Sequence, residues 1–214
     1  MTMKMGLTRA GLCDVGSDER LIELAAAYGF ESVDFDAAGL VARHGADGAR
    51  EFLARRGVAL GSIGLPVEWR ASEEQFLQGL GNLRAAAEAA AALGGTRCCT
   101  YILPSTDLPP AAFMAAAVRR LRLCANILGA YGIRLGLEYV GPHHLRTRWA
   151  HPFIWTQADT LELIGAIQLP NVGLLVDSFH WYTNGMTERD LASLDASQIV
   201  HVHLNDAPDV PVDE

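Results

Sequence analysis

Three short apolar runs of the chain each end in side chains that bind metal ions or move protons. The first run ends in Glu138, the second in Asp177 with His180 close behind it, and the third in His203 with Asp206 following. Carboxylate oxygens and imidazole nitrogens suit divalent ions such as Mn²⁺, Mg²⁺, Co²⁺ or Zn²⁺. Such ligands converge only if the strands that carry them are parallel neighbours, as at the C-terminal face of a (β/α) barrel. We therefore predict one divalent-metal site at neighbouring strand ends.

The same residues also have purely structural interpretations. Glu138 could serve as a ligand, as a base or as the partner of an arginine such as Arg134. The Asp-x-x-His spacing is a common accident, and His180 could be a packed histidine between its aromatic neighbours. Side chains of a strand alternate with period two, so His201 and His203 face the same side.

Position along that strand separates the two histidines. His201 lies further from the strand end, which favours a structural role. His203 lies nearer the strand end and is the better candidate ligand. Asp206 either orients His203 as a neighbour of the ligand shell or caps the following turn.

Strand-like and helix-like segments alternate along the whole chain. The predicted strands, the first of them including a loop, are 4–13, 32–35, 58–65, 97–103, 133–139, 172–176 and 199–204. The predicted helices are 17–28, 40–56, 72–93, 109–131, 156–167 and 187–194. Seven strands joined by six crossover helices require a parallel sheet.

Two parallel architectures fit this alternation. A doubly wound sheet usually carries a glycine-rich phosphate loop after its first strand, and segment 11–16 lacks the G-x-G-x-x-G pattern. The fold class predicted is therefore α/β, a (β/α)8 TIM barrel, because the candidate ligands end successive late strands. No composition shift marks a linker, so we expect 1–214 to form a single (β/α) barrel domain.

Composition excludes several classes of function. The net charge of −8 disfavours binding to nucleic acid, which selects basic patches. No apolar stretch reaches the roughly 18 residues of a membrane span, and no signal peptide is recognised, so we expect no membrane partner and a cytoplasmic location. The cysteines are predicted to be reduced core thiols, since none has zinc-knuckle spacing: Cys13, Cys98, Cys99 and Cys124.

The residues from Glu138 onward resemble a known family. Glu138, the run Asp177-Ser-Phe-His180 and the run His201-Val-His203-Leu-Asn-Asp206 resemble the xylose isomerase-like TIM-barrel superfamily, closest to its sugar phosphate isomerase/epimerase group. The resemblance implies that Glu138, Asp177 and His203 bind one metal ion together with a glutamate from an eighth strand. It also implies that His180 contacts substrate.

The chemistry implied by the resemblance is proton transfer next to a carbonyl. We expect a metal-dependent isomerase or epimerase of a sugar or sugar phosphate that passes through an enediolate. Its catalytic residues would be Glu138, as general base, and His180, which would hydrogen-bond the substrate oxygens. The predicted substrate-binding residues are His180, Trp69, Trp149 and Arg146. Alternatives on the same scaffold are an inosose dehydratase-like lyase, an endonuclease IV-like hydrolase, and a non-catalytic barrel without the fourth ligand.

The C-terminal end departs from the family pattern. The eighth strand and its glutamate are not recognised, Asp213 and Glu214 come too early to supply it, and Asp209 stands where epimerases place an arginine. Arg146 or Arg148 could supply a cation instead. We expect the barrel to be C-terminally incomplete, with its first and seventh strands left as edges, and either a longer polypeptide or a homo-oligomeric partner to fill the gap.

Overall fold

The computed structural model describes residues 3–206, in which strands and helices alternate. The strands are β1 (Gly6–Leu7), β2 (Ser32–Val33), β3 (Ala59–Leu60), β4 (Ile63–Gly64), β5 (Arg97–Ile102), β6 (Ser105–Thr106), β7 (Arg134–Tyr139), β8 (His151–Pro152), β9 (Val172–Asp177) and β10 (Ile199–His203). The helices are α1 (Asp18–Ala27), α2 (Ala37–Arg56), α3 (Glu73–Ala92), α4 (Pro110–Gly129), α5 (His143–Arg146), α6 (Gln157–Ile167), α7 (Ser178–Thr183) and α8 (Glu188–Ala192).

The predicted long strands and helices are confirmed, and three details are corrected. The predicted strand 58–65 is two short strands, β3 and β4. The long loop after β7 contains α5 and β8, and β8 pairs antiparallel with β6. Residues after Asp177 form α7, a helix that the sequence did not predict; the Asp177 side chain accepts from the N–H groups of Phe179 and His180 and so caps it.

The first compact unit is drawn from Met1–Glu68, Ser72–Cys98 and Ile127–Ile133. It contains a three-stranded sheet of order β1-β2-β3 with parallel pairing, and it contains α1, α2 and α3. Ser17 caps α1, and Ser72 forms a capping box with Gln75 at the start of α3. Gly57 closes α2 at φ 66°, a left-handed conformation that favours glycine.

The second compact unit is drawn from Trp69–Ala71, Cys99–Asn126 and Arg134–Glu214. Its strands lie in the order β10-β9-β7-β5, and β9 is parallel to both β7 and β10. In β7 the side chains of Leu135, Leu137 and Tyr139 are fully buried on one face, so Gly136 and Glu138 belong to the other. The sequence pattern therefore places Glu138 at the C-terminal end of a strand, on the face opposite its apolar anchors.

Two glycines make room on the face that carries Glu138. A Cβ atom at Gly136 would lie 3.2 Å from Cys99 Sγ and 3.4 Å from Val200 Cβ. A Cβ atom at Gly173 would overlap the carbonyl oxygen of Gln198 and would lie 3.0 Å from Val200 Cγ2. Val200 therefore fills the space above both glycines, one layer below Glu138.

A one-residue bulge in β10 changes the face of the sheet on which the preceding side chain lies. Ile199 is paired with Leu174, yet His201 is already paired with Leu175, so Val200 is an extra residue. Beyond the bulge His203 is paired with Asp177. Without it, strict alternation would put Ile199 on the face of the two histidines; with it, Ile199 shares the face of Leu174 instead.

Three further sequence predictions can be compared with the described residues. The cysteines are free thiols, and Cys98 and Cys124 are buried as predicted, whereas the prediction is wrong for Cys13, which is exposed because it lies in a loop. Across residues 3–206, no helix has the length and apolarity needed to cross a membrane. The predictions about Asp209, Asp213 and Glu214 lie outside the described residues.

Candidate metal and proton-transfer site

Three candidate ligands from three adjacent strands converge in the second unit. His203 Nδ1 on β10 lies 3.6 Å from Glu138 Oε1 on β7 and 3.9 Å from Asp177 Oδ2 on β9. The exposed fractions of these side chains are 20% for His203, 16% for Glu138 and 5% for Asp177. Both distances lie just beyond the usual hydrogen-bond range.

This donor set fits a divalent ion. Two atoms that each lie about 2.1 Å from an ion at a tetrahedral angle are about 3.4 Å apart. The distances from His203 Nδ1 therefore need to shorten by only a few tenths of an ångström. Two carboxylate oxygens and one imidazole nitrogen favour Mn²⁺, Mg²⁺, Co²⁺ or Zn²⁺ over soft thiophilic ions.

Hydrogen bonds fix the orientation of the Asp177 carboxylate. Its Oδ1 accepts from the N–H of Phe179 at 2.8 Å and from the N–H of His180 at 3.2 Å. Its Oδ2, the oxygen nearest His203, accepts from Asn205 Nδ2 at 2.6 Å. Asn205 is in turn held by Ser178, whose Oγ accepts from the Asn205 N–H at 2.8 Å. Because Oδ1 already accepts two hydrogen bonds from the start of α7, Oδ2 is the oxygen that would coordinate a metal ion.

Sequence reasoning missed Asn205 and chose Asp206 instead. Position 205 continues the alternation of His201 and His203, and that signal could have identified it. Asp206 is exposed. The ring of His201 meets that of His203 edge-on, with centroids 5.1 Å apart and planes at 81°. An orienting role for His201 or Asp206 stays a prediction.

His180 lies beside the two carboxylates. Glu138, Asp177 and His180 each offer an atom within 4.8 Å of the others. The ring Nδ1 of His180 accepts a hydrogen bond from the N–H of Gly141 at 3.3 Å. Arg134, the alternative partner considered for Glu138, donates to the carbonyl oxygen of Ile199 at 3.0 Å and to that of Ser197. Arg134 therefore bonds to the backbone around the start of β10, whereas Glu138 lies at the opposite end of β7.

Arg146 bonds to the loop after β7 and to α7. Its Nε donates to the carbonyl oxygen of Gly141 at 2.7 Å, and its Nη2 donates to the Thr183 carbonyl and to Asn184 Oδ1, both at 3.0 Å. The guanidinium group also lies 5.7 Å from the centre of the Trp155 ring. A substrate contact by Arg146 stays a prediction, and these bonds already give it a structural role.

The two tryptophans predicted to contact substrate have packing partners in the second unit. Trp69 is 1% exposed, stacks on Phe113 at 5.9 Å, and donates its indole N–H to Thr100 Oγ1 at 3.2 Å. The Trp149 ring lies 5.1 Å from the Arg148 guanidinium group. Packing accounts for the position of Trp69, and substrate contacts by either tryptophan stay predictions.

Tyr139 shows how little water reaches the back of β7. Burial, assisted by the negative charges of Asp177, Asp190 and Glu138, raises the pKa of its phenol to about 12. The hydroxyl donates to Met186 Sδ at 3.4 Å. The phenol therefore stays neutral near pH 7 and adds no third negative charge beside the two carboxylates.

Comparison with known proteins identifies the family. The family model described as xylose isomerase-like TIM barrel matches residues 22–214. A curated inosose isomerase from Halalkalibacterium halodurans is 31% identical over 100 residues, which are 42% of this chain and 32% of that protein. The alignment thus spans about a third of the length of that curated relative.

Solved structures show the same fold. A xylose isomerase domain protein from Alicyclobacillus acidocaldarius superposes with a TM-score of 0.89 at 39% identity, covering 97% of this chain and 75% of that one. The IolI protein with a bound zinc atom superposes with a TM-score of 0.78 at 19% identity, covering 99% and 76%. The chain has a (β/α) barrel fold and belongs to the xylose isomerase-like TIM-barrel family.

Proposed function

We propose that the protein is a divalent-metal-dependent isomerase or epimerase of a sugar or a related polyhydroxy ketone. The observation that carries the proposal is the convergence of Glu138, Asp177 and His203 from three adjacent parallel strands, with His180 beside them. Buried carboxylates and imidazoles at the C-terminal ends of barrel strands are the usual position of catalytic groups in this fold. The inosose isomerase relative supports a polyhydroxy ketone as substrate, and the zinc in IolI supports a metal ion.

Each of the three converging residues would have a defined task. Glu138, Asp177 Oδ2 and His203 Nδ1 would hold the ion. When bound, the ion supplies Lewis-acid polarisation of a substrate carbonyl, which acidifies the neighbouring C–H group. Asn205 holds Asp177 Oδ2 in place through its 2.6 Å hydrogen bond.

Proton transfer would fall to Glu138. A carboxylate next to the bound ketone removes the proton from the carbon beside the carbonyl. The same carboxylate returns it on the same face to the former carbonyl carbon, while the hydroxyl proton of the first carbon passes to the former carbonyl oxygen, which moves the carbonyl and gives isomerisation. Epimerisation needs a second group that delivers the proton from the opposite face.

The full-length protein can be tested directly. Metal content is measured by elemental analysis, and an inosose and a panel of ketoses are then incubated in D₂O. We expect about one equivalent of divalent metal, deuterium incorporation beside the carbonyl, and loss of exchange after chelation with recovery on adding metal. A Glu138→Gln variant should retain the fold and lose the exchange. Loss of water from the substrate instead would identify a lyase, and absence of exchange with metal bound would overturn the proposal.

A further inference from the structure

We infer that Gly141 and Arg146 are positioning residues that hold His180 in a single tautomer, so that it presents an Nε2–H donor to a substrate oxygen. The inference rests on the proposed function for its last step alone. It defines His180 as a hydrogen-bond donor and leaves the imidazole ligand of the ion to His203.

The tautomer follows from one hydrogen bond. A neutral imidazole carries one proton, and the nitrogen that accepts a hydrogen bond is the one without it. Nδ1 of His180 accepts from the N–H of Gly141 at 3.3 Å. The proton is therefore on Nε2, which then has no lone pair with which to coordinate a metal ion.

The Gly141 peptide is fixed from its other side. Arg146 Nε donates to the Gly141 carbonyl at 2.7 Å, only five residues along the chain, and closes the start of the loop into a ring. The Nη2 atom of the same guanidinium group donates at 3.0 Å to the Thr183 carbonyl and at 3.0 Å to Asn184 Oδ1. One planar cation thus ties the Gly141 peptide to the C-terminal end of α7, the helix that carries His180.

The end of α7 is bonded back to His180. Asn184 Nδ2 donates to the His180 carbonyl at 2.9 Å and to the Trp155 carbonyl at 2.8 Å. Thr183 Oγ1 donates to the same His180 carbonyl at 3.2 Å. The backbone of His180 and the amide that meets its ring are therefore parts of one network, which we call the Arg146 clamp (Gly141, Arg146, Thr183 and Asn184).

Glycine is required at position 141 for this approach. A Cβ atom there would overlap Thr183 Oγ1 and would lie 2.7 Å from the His180 carbonyl oxygen and 2.8 Å from Asn184 Nδ2. Any side chain would push the loop away from α7 and lengthen the bond to Nδ1. The close contact is therefore part of the arrangement that sets the tautomer.

The acceptor that this donor fits is an oxygen of the substrate. Glu138 and Asp177 each offer an atom within 4.8 Å of a ring nitrogen of His180. A substrate carbonyl or hydroxyl oxygen that is bound beside these carboxylates would lie close to His180 and would accept its Nε2–H. A group fixed in the donor form before binding needs no reorganisation when the substrate arrives.

The test reads the tautomer directly. Long-range ¹H–¹⁵N spectra of the metal-free full-length protein are recorded well above the usual pH range of histidine titration, and His180→Gln identifies the His180 signals. We expect a protonated Nε2 and an unprotonated Nδ1. On addition of Zn²⁺, the His203 ring signals should move and the His180 Nε2 should stay protonated. A protonated Nδ1, or loss of the Nε2 proton with Zn²⁺, would overturn the inference.

Variants then test the clamp. In Arg146→Met the Nδ1 signal should move toward the protonated form, and Gly141 amide exchange should speed up by about tenfold, because an opened local bond loses protection. Asn184→Ala should shift the Nδ1 signal and the Gly141 amide exchange in the same directions. It replaces Arg146→Met in the test if that variant does not fold. Arg122→Met is the matched control, since Arg122 likewise donates to two carbonyls, those of Ile167 at 2.8 Å and Ala166 at 2.7 Å.

Activity provides an independent measurement. If the proposed function holds, Arg146→Met should lower kcat by about 10- to 100-fold, the range seen when a residue that orients a catalytic group is lost. The expected tautomer without any sugar turnover would refute the proposed function and leave the inference intact. An unchanged Nδ1 signal and unchanged Gly141 exchange in both clamp variants would refute the role of the clamp.

Discussion

The two compact units use charge in opposite ways. In the first unit the ionic groups pair with opposite charges at the surface: Glu19 with Arg43 at 2.6 Å, Glu23 with Arg56 at 2.9 Å, and Asp18 with Arg9 at 2.8 Å. In the second unit two carboxylates, Glu138 and Asp177, are largely buried together at neighbouring strand ends, with His203 between them.

This difference separates surface stabilisation from the proposed site. A surface ion pair contributes only about 0–1 kcal/mol, so its loss has a small effect on stability. Two like charges in a partly buried space are costly unless something positive joins them. The second arrangement is the one that the proposed cation binding and proton transfer would need, whereas the first is ordinary surface stabilisation.

The largest expected effect distinguishes the two kinds of carboxylate. Glu138→Gln should lower deuterium exchange into substrate by about 10²–10⁴-fold, the range for loss of a general base, with little change in thermal stability. Glu19→Gln is the matched control in the first unit and should leave exchange unchanged. Equal exchange in wild type and Glu138→Gln would remove the contrast between the units.

The next effect concerns the space that the glycines provide in the second unit. Gly173→Ala should lower the free energy of unfolding by about 1–3 kcal/mol, because the added methyl group overlaps the Gln198 carbonyl and crowds Val200. Gly165→Ala, in α6, meets nothing within 4 Å and should raise stability by about 0.5–1 kcal/mol. Denaturant unfolding measures both, and equal stability of the two variants would contradict the packing described for β9 and β10.

A smaller effect is expected at the residue that orients Asp177. Asn205→Ala removes the 2.6 Å hydrogen bond to Asp177 Oδ2 and should weaken Mn²⁺ or Zn²⁺ binding by about tenfold, measured by calorimetry. Asn126→Ala, an exposed asparagine on α4, is the control and should not change the affinity. Unchanged affinity in Asn205→Ala would show that the capping bonds alone hold the carboxylate.

The smallest effect is a pH dependence in the first unit. The hydrogen bond from Arg43 lowers the pKa of Glu19 from 4.5 to about 2, with burial opposing and His44 assisting. Because the folded-state pKa is lowered, the stabilisation is fully present above pH 4.5 and is lost as the pH falls toward 2. Wild type should exceed Glu19→Gln by less than about 1 kcal/mol at pH 6, and this difference should vanish near pH 2. A difference that persists at pH 2 would contradict the assignment.

Sequence predicted most of the regular structure and part of the site. The helices predicted from 17 and from 72 do begin there, because a serine side chain that bonds to the first turn is a local signal. Apolar runs located β7, β9 and β10. The short strands were missed or merged, since two residues are too few to show an alternating pattern.

A site residue was predictable only where a ligand-type side chain stood at the end of a predicted strand. Glu138, Asp177 and His203 end long apolar runs, and the structure brings them together. Gly141 acts through its backbone amide, which leaves no pattern in the sequence. Asn205 continues the alternation of His201 and His203, but its partner Asp177 lies 28 residues away along the chain. Trp69 was selected because it follows a predicted strand, and burial could not be foreseen from that position.

The extra residue in β10 has a consequence for protein engineering. Ile199 and the histidines of β10 lie on opposite faces only because Val200 interrupts the pairing with β9. Deleting Val200 alone would turn either Ile199 or both histidines to the other face. A redesign that changes the length of this strand by one residue would therefore separate His203 from Asp177 even if every side chain were retained.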